Sequence, residues 1–568
     1  MSYVITQNCC NDATCVSVCP VNCIHPTPDE PGYATAEMLY IDPDTCIDCG
    51  ACADVCPVDA ILPDFDVTED TEKYLEINAR YFADPAHQGY PTTNSTKAKP
   101  KVEVSEPGPL RVAIVGSGPS GCYAAEELLT RKGVDVEVHL FERLPTPFGL
   151  VRFGVAPDHQ STKAVTKLFT RTAGRAGMDL HLNVEVGTHV THEELLAHHH
   201  AVIYTVGAPH DRRLGVPGED LPGSHSATDF VAWYNGHPDF ADRTFDLSCE
   251  RAVIVGNGNV ALDVARVLAS DVDELARTDI ADHALQALAA SKITEVVVLG
   301  RRGPVQSAFT TPELLGLAGG SSFDVMVDPR EAEIDPVTAA ALDADPYSMA
   351  GLKGQILGEL VERPLGGASS RIVLRYLASP THVLGEDRVS GLRVVRNELL
   401  DAGGGRLTAR AIEETEDIEC GLVLRSIGYK GQPQPGLPFD DVTGTLPNER
   451  GRVLDPATSA PVTGVYTAGW IKRGPSGVIG TNKKCAEDTV AALFDDYAAG
   501  RLAAPAQGGD ALRALITERQ PDALDFKAWE SIDRHEKTTG KPQRRPRVKL
   551  TSVPEMVEVA MEARAVIG

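Results

Sequence analysis

Residues 111–121 read RVAIVGSGPSG and decide the fold. An apolar run ends in Gly116, Gly118 and Gly121, and the helical pattern AAEELLTRKG follows. Gly116 permits a tight turn, Gly118 lets backbone N–H groups approach a pyrophosphate, and Gly121 allows the helix to pack closely on the strand. The stretch therefore predicts a strand, a turn and a helix whose N-terminus receives phosphates.

A second apolar run at residues 136–141 leads to Glu142, 21 residues after Gly121. A carboxylate at this place can accept the ribose hydroxyls of an adenosine. Glycine patterns alone are weak signals, because many glycine-rich turns bind nothing. Here strand, turn, helix, strand and acid follow in order, which predicts a dinucleotide site.

The same pattern recurs at residues 251–268, RAVIVGNGNVALDVARVL, whose turn contains Asn257, Gly258, Asn259 and Val260. The next strand ends in Arg301 and Arg302 instead of an acid. Two guanidinium groups favour a 2′-phosphate, so this second site is expected to take NADP(H). A solvated arginine pair is the alternative.

Late in the chain, a strand-like run ends at Trp470, and a glycine turn at residues 477–480 precedes another helix. The N-terminus of that helix can point at a flavin ring. The first nucleotide domain is therefore expected to be discontinuous, with the second inserted between its halves.

Nine of the thirteen cysteines lie between positions 9 and 56. CIDCGACADVCP at residues 46–57 is a CxxCxxCxxxCP run, in which three thiolates bind one iron–sulfur cluster and the fourth reaches a second. The upstream run CVSVCP repeats only part of this pattern, approached loosely from Cys9 and Cys10. Zinc sites usually show two separated CxxC pairs instead, and disulfides are disfavoured because MSYVITQNCC does not resemble an export signal.

Length and charge bound the function. The 568 residues suffice for about three or four domains, and the net charge of −27 makes nucleic acid and anionic membranes poor partners. Residues 1–90 hold 16 acidic residues against Lys73 and Arg80. With no run of about 18 apolar residues, a soluble, cytoplasmic protein without membrane association is predicted.

Residues 1–85 resemble the seven-iron bacterial ferredoxins, also in VCPVNCI and IDPDTCIDCGAC. The resemblance implies a [4Fe-4S] cluster on Cys19, Cys46, Cys49 and Cys52, a [3Fe-4S] cluster on Cys9, Cys15 and Cys56, and a nearby thiol at Cys23. Only five residues separate Cys9 from Cys15, fewer than that family leads us to expect, and Cys10 is an added thiol. The second cluster is thus [3Fe-4S] or [4Fe-4S].

PFGLVRFGVAPDHQSTK, GNGNVALDVARVL, GRRGPVQSAFTTPEL and AGWIKRGPSGVIGTNKK look like the adrenodoxin-reductase-like ferredoxin–NADP reductases. The order of the two parts resembles the fused actinobacterial-type enzymes. The resemblance implies an α+β ferredoxin-like module followed by an α/β flavoprotein of the glutathione-reductase-like type, with the NADP domain nested in the FAD domain. The expected domains are a two-cluster ferredoxin (1–85), a linker (86–109), an FAD domain (110–210 and 435–568) and an NADP domain (211–434).

The resemblance also implies site residues. FAD contacts are expected at Ser117, Glu142, Leu150, Val186, Trp470, Gly477, Val478 and Ile479, and NADP contacts at Arg212, Asn257, Gly258, Asn259, Val260, Arg301, Arg302, Glu313 and Gly477. His159 lies near the flavin in that family, which implies a positional or electrostatic role, although a lone histidine is more often simply packed or solvated. Where the family leads us to expect an acid one turn after Glu313, this chain has Gly316.

The predicted function is ferredoxin–NADP reductase. NADPH reduces FAD by hydride transfer, and FAD passes single electrons to the clusters and on to a ferredoxin or a cytochrome P-450-type monooxygenase system. The alternatives are an electron-input subunit of a glutamate-synthase-like complex, a disulfide reductase, for which the NADP domain lacks a CxxC, and a structural iron–sulfur scaffold. Residues 198–200, three histidines, are expected in a solvated loop. The basic segment 534–549 is expected to be solvated, or to dock the acidic ferredoxin module or an acidic partner.

Overall fold

The computed structural model describes residues 1–93, 101–102, 108–403 and 407–567, the last four without their side chains. Much of the predicted linker, residues 94–100 and 103–107, lies outside the described residues. Among the helices described, none is both long and apolar enough to cross a membrane.

Residues 1–91 form a cysteine-rich module of short strands and helices. In chain order its elements are β1 (Tyr3–Ile5), α1 (Thr14–Val18), β2 (Ile24–His25), β3 (Tyr40–Ile41), α2 (Ala51–Asp54), β4 (Ile61–Pro63) and α3 (Lys73–Ala83). Strand β1 pairs antiparallel with β4, and β2 with β3. The module extends past position 85, because the ring of Tyr90 stacks on His25 at 3.5 Å and Asn22 donates a hydrogen bond to the carbonyl of Pro91 at 3.0 Å.

The next part of the chain builds most of a parallel sheet around the first glycine turn. Its elements are β5 (Leu110–Val115), α4 (Pro119–Thr130), β6 (Val136–Glu142), α5 (Leu150–Phe153), α6 (Gln160–Lys163), α7 (Thr166–Ala173), β7 (Met178–Leu182), α8 (His192–His198) and β8 (Ala201–Tyr204). Strand β5 is buried along almost its whole length, as its continuous apolar sequence predicts.

The middle of the chain forms a second sheet. Its elements are β9 (His210–Asp211), β10 (Ser224–Ser226), α9 (Ala227–Tyr234), β11 (Arg251–Val255), α10 (Asn259–Ala269), α11 (Val272–Leu275), α12 (Asp282–Ala289), β12 (Glu295–Leu299), α13 (Thr311–Ala318), β13 (Asp324–Val327), α14 (Pro336–Ala344), α15 (Met349–Glu362), β14 (Arg371–Arg375), β15 (Ala378–Leu384), β16 (Gly391–Asp401), β17 (Leu407–Glu419), β18 (Leu422–Arg425) and β19 (Tyr429–Lys430). The six-stranded parallel sheet has the order β10-β18-β11-β12-β14-β13, and β15-β16-β17 form a separate antiparallel sheet that the sequence analysis did not anticipate.

The last part of the chain returns to the first sheet. Its elements are β20 (Asn448–Glu449), β21 (Arg452–Leu454), β22 (Pro461–Thr467), α16 (Trp470–Arg473), α17 (Thr481–Ala498), α18 (Gly509–Arg519), α19 (Phe526–Gly540) and α20 (Val553–Ile567). The seven-stranded sheet has the order β20-β21-β22-β8-β5-β6-β7, so β22 lies next to β8 although the whole second sheet intervenes in sequence.

One local expectation was wrong, and a second holds only in part. The histidines at 198–200 do not lie in a solvated loop, because His198 ends α8 and His199 is 1% exposed, with its Nε2 atom 2.7 Å from Nδ1 of His139. In the basic segment 534–549, Arg534, Lys537, Lys541 and Arg544 are exposed, whereas Arg545 and Lys549 are buried against the domain of the second sheet and not against the acidic module. Lys549 lies 3.2 Å from Asp279, at the second sheet's helices, and Glu536 binds Arg152 at 2.9 Å.

Candidate functional site

The first glycine turn has the geometry that a pyrophosphate needs. Gly116 has a φ of +101°, and a Cβ atom on Gly121 would lie 2.1 Å from the carbonyl oxygen of Gly116, so helix and strand approach each other too closely for a side chain. A Cβ atom on Gly118 would meet nothing within 4 Å, which leaves space beside the turn. Gly149 is a further close neighbour of the turn that the sequence analysis missed. A Cβ atom on Gly149 would lie 3.0 Å from the Cα atom of Gly118, and Leu150 follows directly.

Glu142 lies at the end of β6 and reaches this turn. Its Oε2 atom accepts hydrogen bonds from the backbone N–H of Ser117 at 3.1 Å and from the Ser117 hydroxyl at 2.6 Å. The backbone N–H of Leu144 donates to the other carboxylate oxygen at 3.1 Å. Strand order and hydrogen bonds therefore hold the carboxylate beside the open face of Gly118, where an adenosine ribose can be bound.

The second glycine turn repeats the first. Gly256 has a φ of +114°, and a Cβ atom there would lie 2.1 Å from the carbonyl of Ser426, whereas Gly258 faces open space. Asn259 accepts a hydrogen bond from the backbone N–H of Thr310 at 2.8 Å, which fixes the start of α10. A phosphate can therefore approach this turn as closely as the first.

Arg301 and Arg302 follow β12 directly. No ion pair joins either guanidinium to a carboxylate in the part of the chain that the structure describes, so both are available to an anion. Burial, together with the charge of Arg301, lowers the pKa of Arg302, and a bound phosphate would offset both effects. Asn397 donates to the Arg301 carbonyl at 2.8 Å and holds the loop in place.

The predicted flavin turn lies at the start of α17. Gly477 has a φ of +77°, the N–H of Val478 donates to the Thr481 hydroxyl at 3.2 Å, and Asn482 donates to the Val478 and Ile479 carbonyls at 3.2 and 3.0 Å. Upstream, the ring of Trp470 lies 5.3 Å from that of Tyr429. The turn is thus fixed by the helix that follows it.

Two other predicted contacts lie outside these turns. Arg212 pairs through its backbone N–H with the carbonyl of Gly428 at 3.1 Å, on the two strands that connect the sheets. Val186 is half-buried in a bridge with Val190, beyond the end of β7. The described contacts do not bring Val186 to the glycine turn.

His159 lies in a polar cluster between the two sheets. Its Nε2 atom is 2.9 Å from Nη2 of Arg266, and because a guanidinium only donates, Nε2 is the acceptor. Asp158 also binds Arg266, and Asp263 accepts a hydrogen bond from it at 2.7 Å. Ligand atoms of His159, Asp263 and Glu313 lie within 4.8 Å of one another, and the Arg266 guanidinium offsets part of the negative charge of this set.

Glu313 is the unusual member of this cluster. Its Oε2 atom is buried without a hydrogen-bond partner among the described residues, 3.8 Å from Nη1 of Arg266 and 4.0 Å from Nε2 of His159. Burial, followed by the charge of Asp263, raises the pKa of Glu313. A buried acceptor of this kind is suited to a polar ligand group between the sheets.

The cysteines form two groups, each drawing on both halves of the module. Cys9, Cys15 and Cys56 line one small cavity together with Cys10 and Asp12. In the other group, a hydrogen bond with Cys23 lowers the pKa of Cys19 and of Cys46, each to about 6, which favours the thiolate that binds metal. Cys19 and Cys56 each belong to the group of the opposite half, as two-cluster CxxxCP runs predict. The donor sets fit iron–sulfur clusters.

The cysteine-rich module contacts both sheets. Towards the first sheet, the backbone N–H of Gly480 donates to the carbonyl of Cys10 at 2.7 Å, and Lys483 donates to the Thr14 hydroxyl at 2.9 Å. Towards the second, the N–H of Thr311 donates to Glu37 at 2.7 Å. Gly316 stands where an acid was expected, and it leaves room for Gln7 of the module. A Cβ atom on Gly316 would lie only 2.0 Å from the Nε2 atom of Gln7.

Comparison with known protein families agrees with this geometry. Residues 39–62 match the family described as 4Fe-4S binding domain, and residues 110–299 match the pyridine nucleotide-disulphide oxidoreductases. The chain is 52% identical over 575 residues to a probable ferredoxin/ferredoxin–NADP reductase of Mycobacterium tuberculosis, with 99% of this chain and 96% of that protein covered.

Shorter relatives match only the part after the cysteine-rich module. NADPH-ferredoxin reductase FprA of M. tuberculosis is 46% identical over 465 residues, covering 80% of this chain and 99% of its own. A solved structure of that protein in complex with NADPH matches with a TM-score of 0.75 and covers 80% of this chain and all of the other. The mitochondrial NADPH:adrenodoxin oxidoreductase of Salvelinus fontinalis is 43% identical over 79% of this chain and 91% of its own. None of these relatives is named as a subunit of a glutamate-synthase-like complex.

Proposed function

The chain belongs to the ferredoxin/ferredoxin–NADP reductase family, and we propose that its electrons pass from the two nucleotide turns into the cysteine-rich module at Cys10 and leave it at Cys49. The enzyme is an oxidoreductase of the ferredoxin–NADP reductase type. When bound, FAD exchanges a hydride with a nicotinamide and exchanges electrons singly with iron–sulfur clusters. The protein's own part is to hold these groups in sequence and exclude water between them.

We propose the following assignment of the chain. Residues 1–91 hold two clusters, residues 110–210 and 435–568 hold FAD, and residues 211–434 hold NADP(H). The strand order supports the nesting, since β22 completes the sheet that β8 leaves unfinished. The packing of Tyr90 and Pro91 on the module supports a boundary after position 91 in place of 85.

Each cofactor has its own set of proposed residues. FAD is held by Gly116, Ser117, Gly118, Gly121, Glu142, Leu150, Trp470 and the turn at 477–479, with Val186 at the margin; NADP(H) is held by Arg212, Asn257, Gly258, Asn259, Val260, Arg301, Arg302, Glu313 and Gly477; a [4Fe-4S] cluster is held by Cys19, Cys46, Cys49 and Cys52, and a second cluster by Cys9, Cys15 and Cys56. The open faces of Gly118 and Gly258 and the cysteine-lined cavity support these sets.

One contact carries the proposal. Gly480, which donates its N–H to the Cys10 carbonyl at 2.7 Å, is the residue after the proposed flavin turn. A Cβ atom on Gly480 would lie 2.1 to 2.2 Å from backbone atoms of Asn11 and Asp12, so the two segments touch without an intervening side chain. This contact supports a path in which the Cys9, Cys15 and Cys56 group is the one nearest to the proposed flavin turn.

The opposite group is open to solvent. Ile47 is 57% exposed and Cys49 is exposed as well. Asp44 and Asp54, five residues before and after Cys49 in sequence, are also exposed. We therefore propose that an external one-electron acceptor with a basic docking face, a free ferredoxin or a cytochrome P-450-type monooxygenase system, binds beside Cys49.

His159 is proposed to act through position and not as an acid. Its Nε2 atom accepts from Arg266, which itself binds Asp158 and Asp263, so the ring orientation is fixed from the second sheet. A His159→Gln variant is expected to change the NADPH Michaelis constant, or the rate of flavin reduction, with no new pH dependence.

A cytoplasmic location is proposed because a reducing compartment keeps the cysteines available as cluster ligands.

Anaerobic titration with NADPH tests the proposed function. Flavin and cluster absorbance are expected to bleach together, because the two are connected within one chain. An Arg301→Ala, Arg302→Ala double variant should raise the Michaelis constant for NADPH far more than that for NADH, since only the former carries the 2′-phosphate. Clusters that stay oxidised while the flavin bleaches would contradict the proposal.

A further inference from the structure

The two cysteine-bearing halves of the module are copies of one backbone, 37 residues apart. Strand β1 corresponds to β3, β2 to β4, and α1 to α2. Left-handed residues recur at the same offset: Asn11 with a φ of 56° matches Asp48 with 57°. Asn22 and Asp59, both at 52°, match likewise. We call residues 9–19 the first half-site and residues 46–56 the second half-site.

Three of the ligand positions correspond under this offset. Cys9 matches Cys46, Cys15 matches Cys52, and Cys19 matches Cys56. The remaining ligand of the second half-site is Cys49, and its counterpart in the first half-site is Asp12. The interval of five residues between Cys9 and Cys15 is therefore the same as that between Cys46 and Cys52, so the first half-site has four positions and not three.

Asp12 is placed to use that fourth position. It is 6% exposed and lines the same small cavity as Cys9, Cys15 and Cys56. One carboxylate oxygen accepts the Thr14 N–H at 3.2 Å, and the other accepts the Thr14 hydroxyl and lies 3.7 Å from the Lys483 ammonium. A carboxylate has about four acceptor sites, so these contacts leave capacity for a metal.

We propose that Asp12 is the fourth ligand of the second cluster, which makes it a four-iron cubane held by three thiolates and one carboxylate. The inference rests on the proposed function, because it takes for granted that the module binds clusters at all. A carboxylate is a harder ligand than a thiolate, and iron–sulfur clusters prefer soft thiolate ligands. The iron at Asp12 is therefore the most readily exchanged of the cluster.

Cys10 is the rival ligand, since it lines the same cavity. Its counterpart at the 37-residue offset is Ile47, whose side chain is directed to solvent and cannot bind the other cluster. The Cys10 side chain instead packs in the core that contains Tyr123 and Ile479 of the first sheet's domain. Shared backbone geometry therefore favours Asp12 over Cys10.

The alternative is that Asp12 has a purely structural role, because it accepts a hydrogen bond from the Thr14 N–H at the start of α1. An Asp12→Asn variant separates the two roles. Asparagine keeps one side-chain oxygen for the Thr14 N–H, and its amide NH2 can donate to the Thr14 hydroxyl, but a neutral amide is a poor iron ligand. An Asp12→Cys variant restores a strong ligand and loses both hydrogen bonds to Thr14.

The experiment measures iron per chain and low-temperature EPR spectra on anaerobically reconstituted protein. Wild type and Asp12→Cys are expected to hold about eight irons, and Asp12→Asn about seven. Oxidised Asp12→Asn should show a three-iron signal that is absent from the other two. Cys10→Ser is the matched control and should keep about eight irons without that signal.

Two results would overturn the assignment: Asp12→Asn that keeps about eight irons, or Cys10→Ser that falls to about seven. A wild type that shows the three-iron signal even after reconstitution with excess Fe²⁺ would overturn it too. The cluster on Cys46, Cys49 and Cys52 serves as an internal standard in each sample. If that cluster is also missing from wild type, the proposed function fails; if only the fourth iron is missing, the inference alone fails.

Discussion

The two half-sites share a backbone but have opposite surroundings. In the first, Cys10, Asn11 and Asp12 are all buried, whereas in the second Ile47 and Cys49, the counterparts of Cys10 and Asp12, are exposed. The difference arises from docking, because Gly480 and Lys483 cover the first half-site. A duplicated cysteine unit thus has one face towards the proposed flavin turn and the equivalent face towards solvent, which would give the proposed electron flow through the module a direction.

The largest expected effect comes from separating the first half-site from the flavin turn. A Gly480→Leu side chain would have to displace the backbone of Asn11, which lies 2.1 Å from the position of its Cβ atom. Because a displacement of about 1 Å can slow a geometry-dependent step about 100-fold, reduction of the clusters by NADPH should slow by that order in rapid-mixing experiments. Flavin reduction should keep its rate.

Gly358→Ala is the matched control, since a Cβ atom there meets nothing within 4 Å in helix α15. It should reduce its clusters as fast as wild type. Unchanged cluster reduction in Gly480→Leu, with the variant folded and loaded, would mean that the Cys10 contact does not set the electron path.

A smaller effect is expected at the solvent-facing half-site. Asp54→Lys reverses one of the exposed charges beside Cys49 and should raise the Michaelis constant for a basic protein acceptor about fivefold at low salt, equivalent to about 1 kcal/mol. The effect should fade as ionic strength rises. Asp441→Lys makes the same charge change on an exposed loop of the first sheet's domain. Equal shifts in the two variants would exclude a docking surface at Cys49.

The smallest effect is expected from the exposed ion pair between the module and α17. Lys484 lies 3.4 Å from Asp29, whose side chain is almost fully exposed. Because exposed pairs contribute about 0.2 to 1 kcal/mol, Lys484→Ala should change the rate of cluster reduction by less than about twofold. A loss as large as that of Gly480→Leu would show that charge, and not backbone contact, holds the module.

The parts of this account that sequence reasoning reached were those encoded locally. The spacing of glycines in a turn, or of cysteines in a run, determines the local geometry. The family and fold class expected from these motifs were confirmed. Asp12 is not among the predicted ligands, although its offset of 37 residues from Cys49 is visible in the sequence, because an aspartate does not stand out in a cysteine pattern. The docking contacts were not predictable, since Gly480 and Gly316 matter only for the surfaces opposite them.

Two groups of polar residues are more buried than was expected. A solvated loop was expected at residues 198–200, and the basic segment 534–549 was expected to be solvated or to dock the acidic cysteine-rich module or an acidic partner. In the fold, His199 pairs with His139, and Arg547 and Arg152 pair with the buried Glu536. Arg152 and Glu536 are 384 residues apart, and a single sequence does not identify even the nearer partners.

The order of the two half-sites along the electron path is tested most directly by removing one cluster at a time. Cys49→Ser and Cys15→Ser should each lose one cluster, and rapid mixing with NADPH then measures how fast the other is reduced. In Cys49→Ser, the remaining inner cluster, on Cys9, Cys15 and Cys56, should be reduced at close to the wild-type rate. In Cys15→Ser, the flavin should be reduced normally, but the remaining outer cluster, on Cys19, Cys46, Cys49 and Cys52, should be reduced about 100-fold more slowly. Fast reduction of the outer cluster in Cys15→Ser, with slow reduction of the inner cluster in Cys49→Ser, would contradict this order.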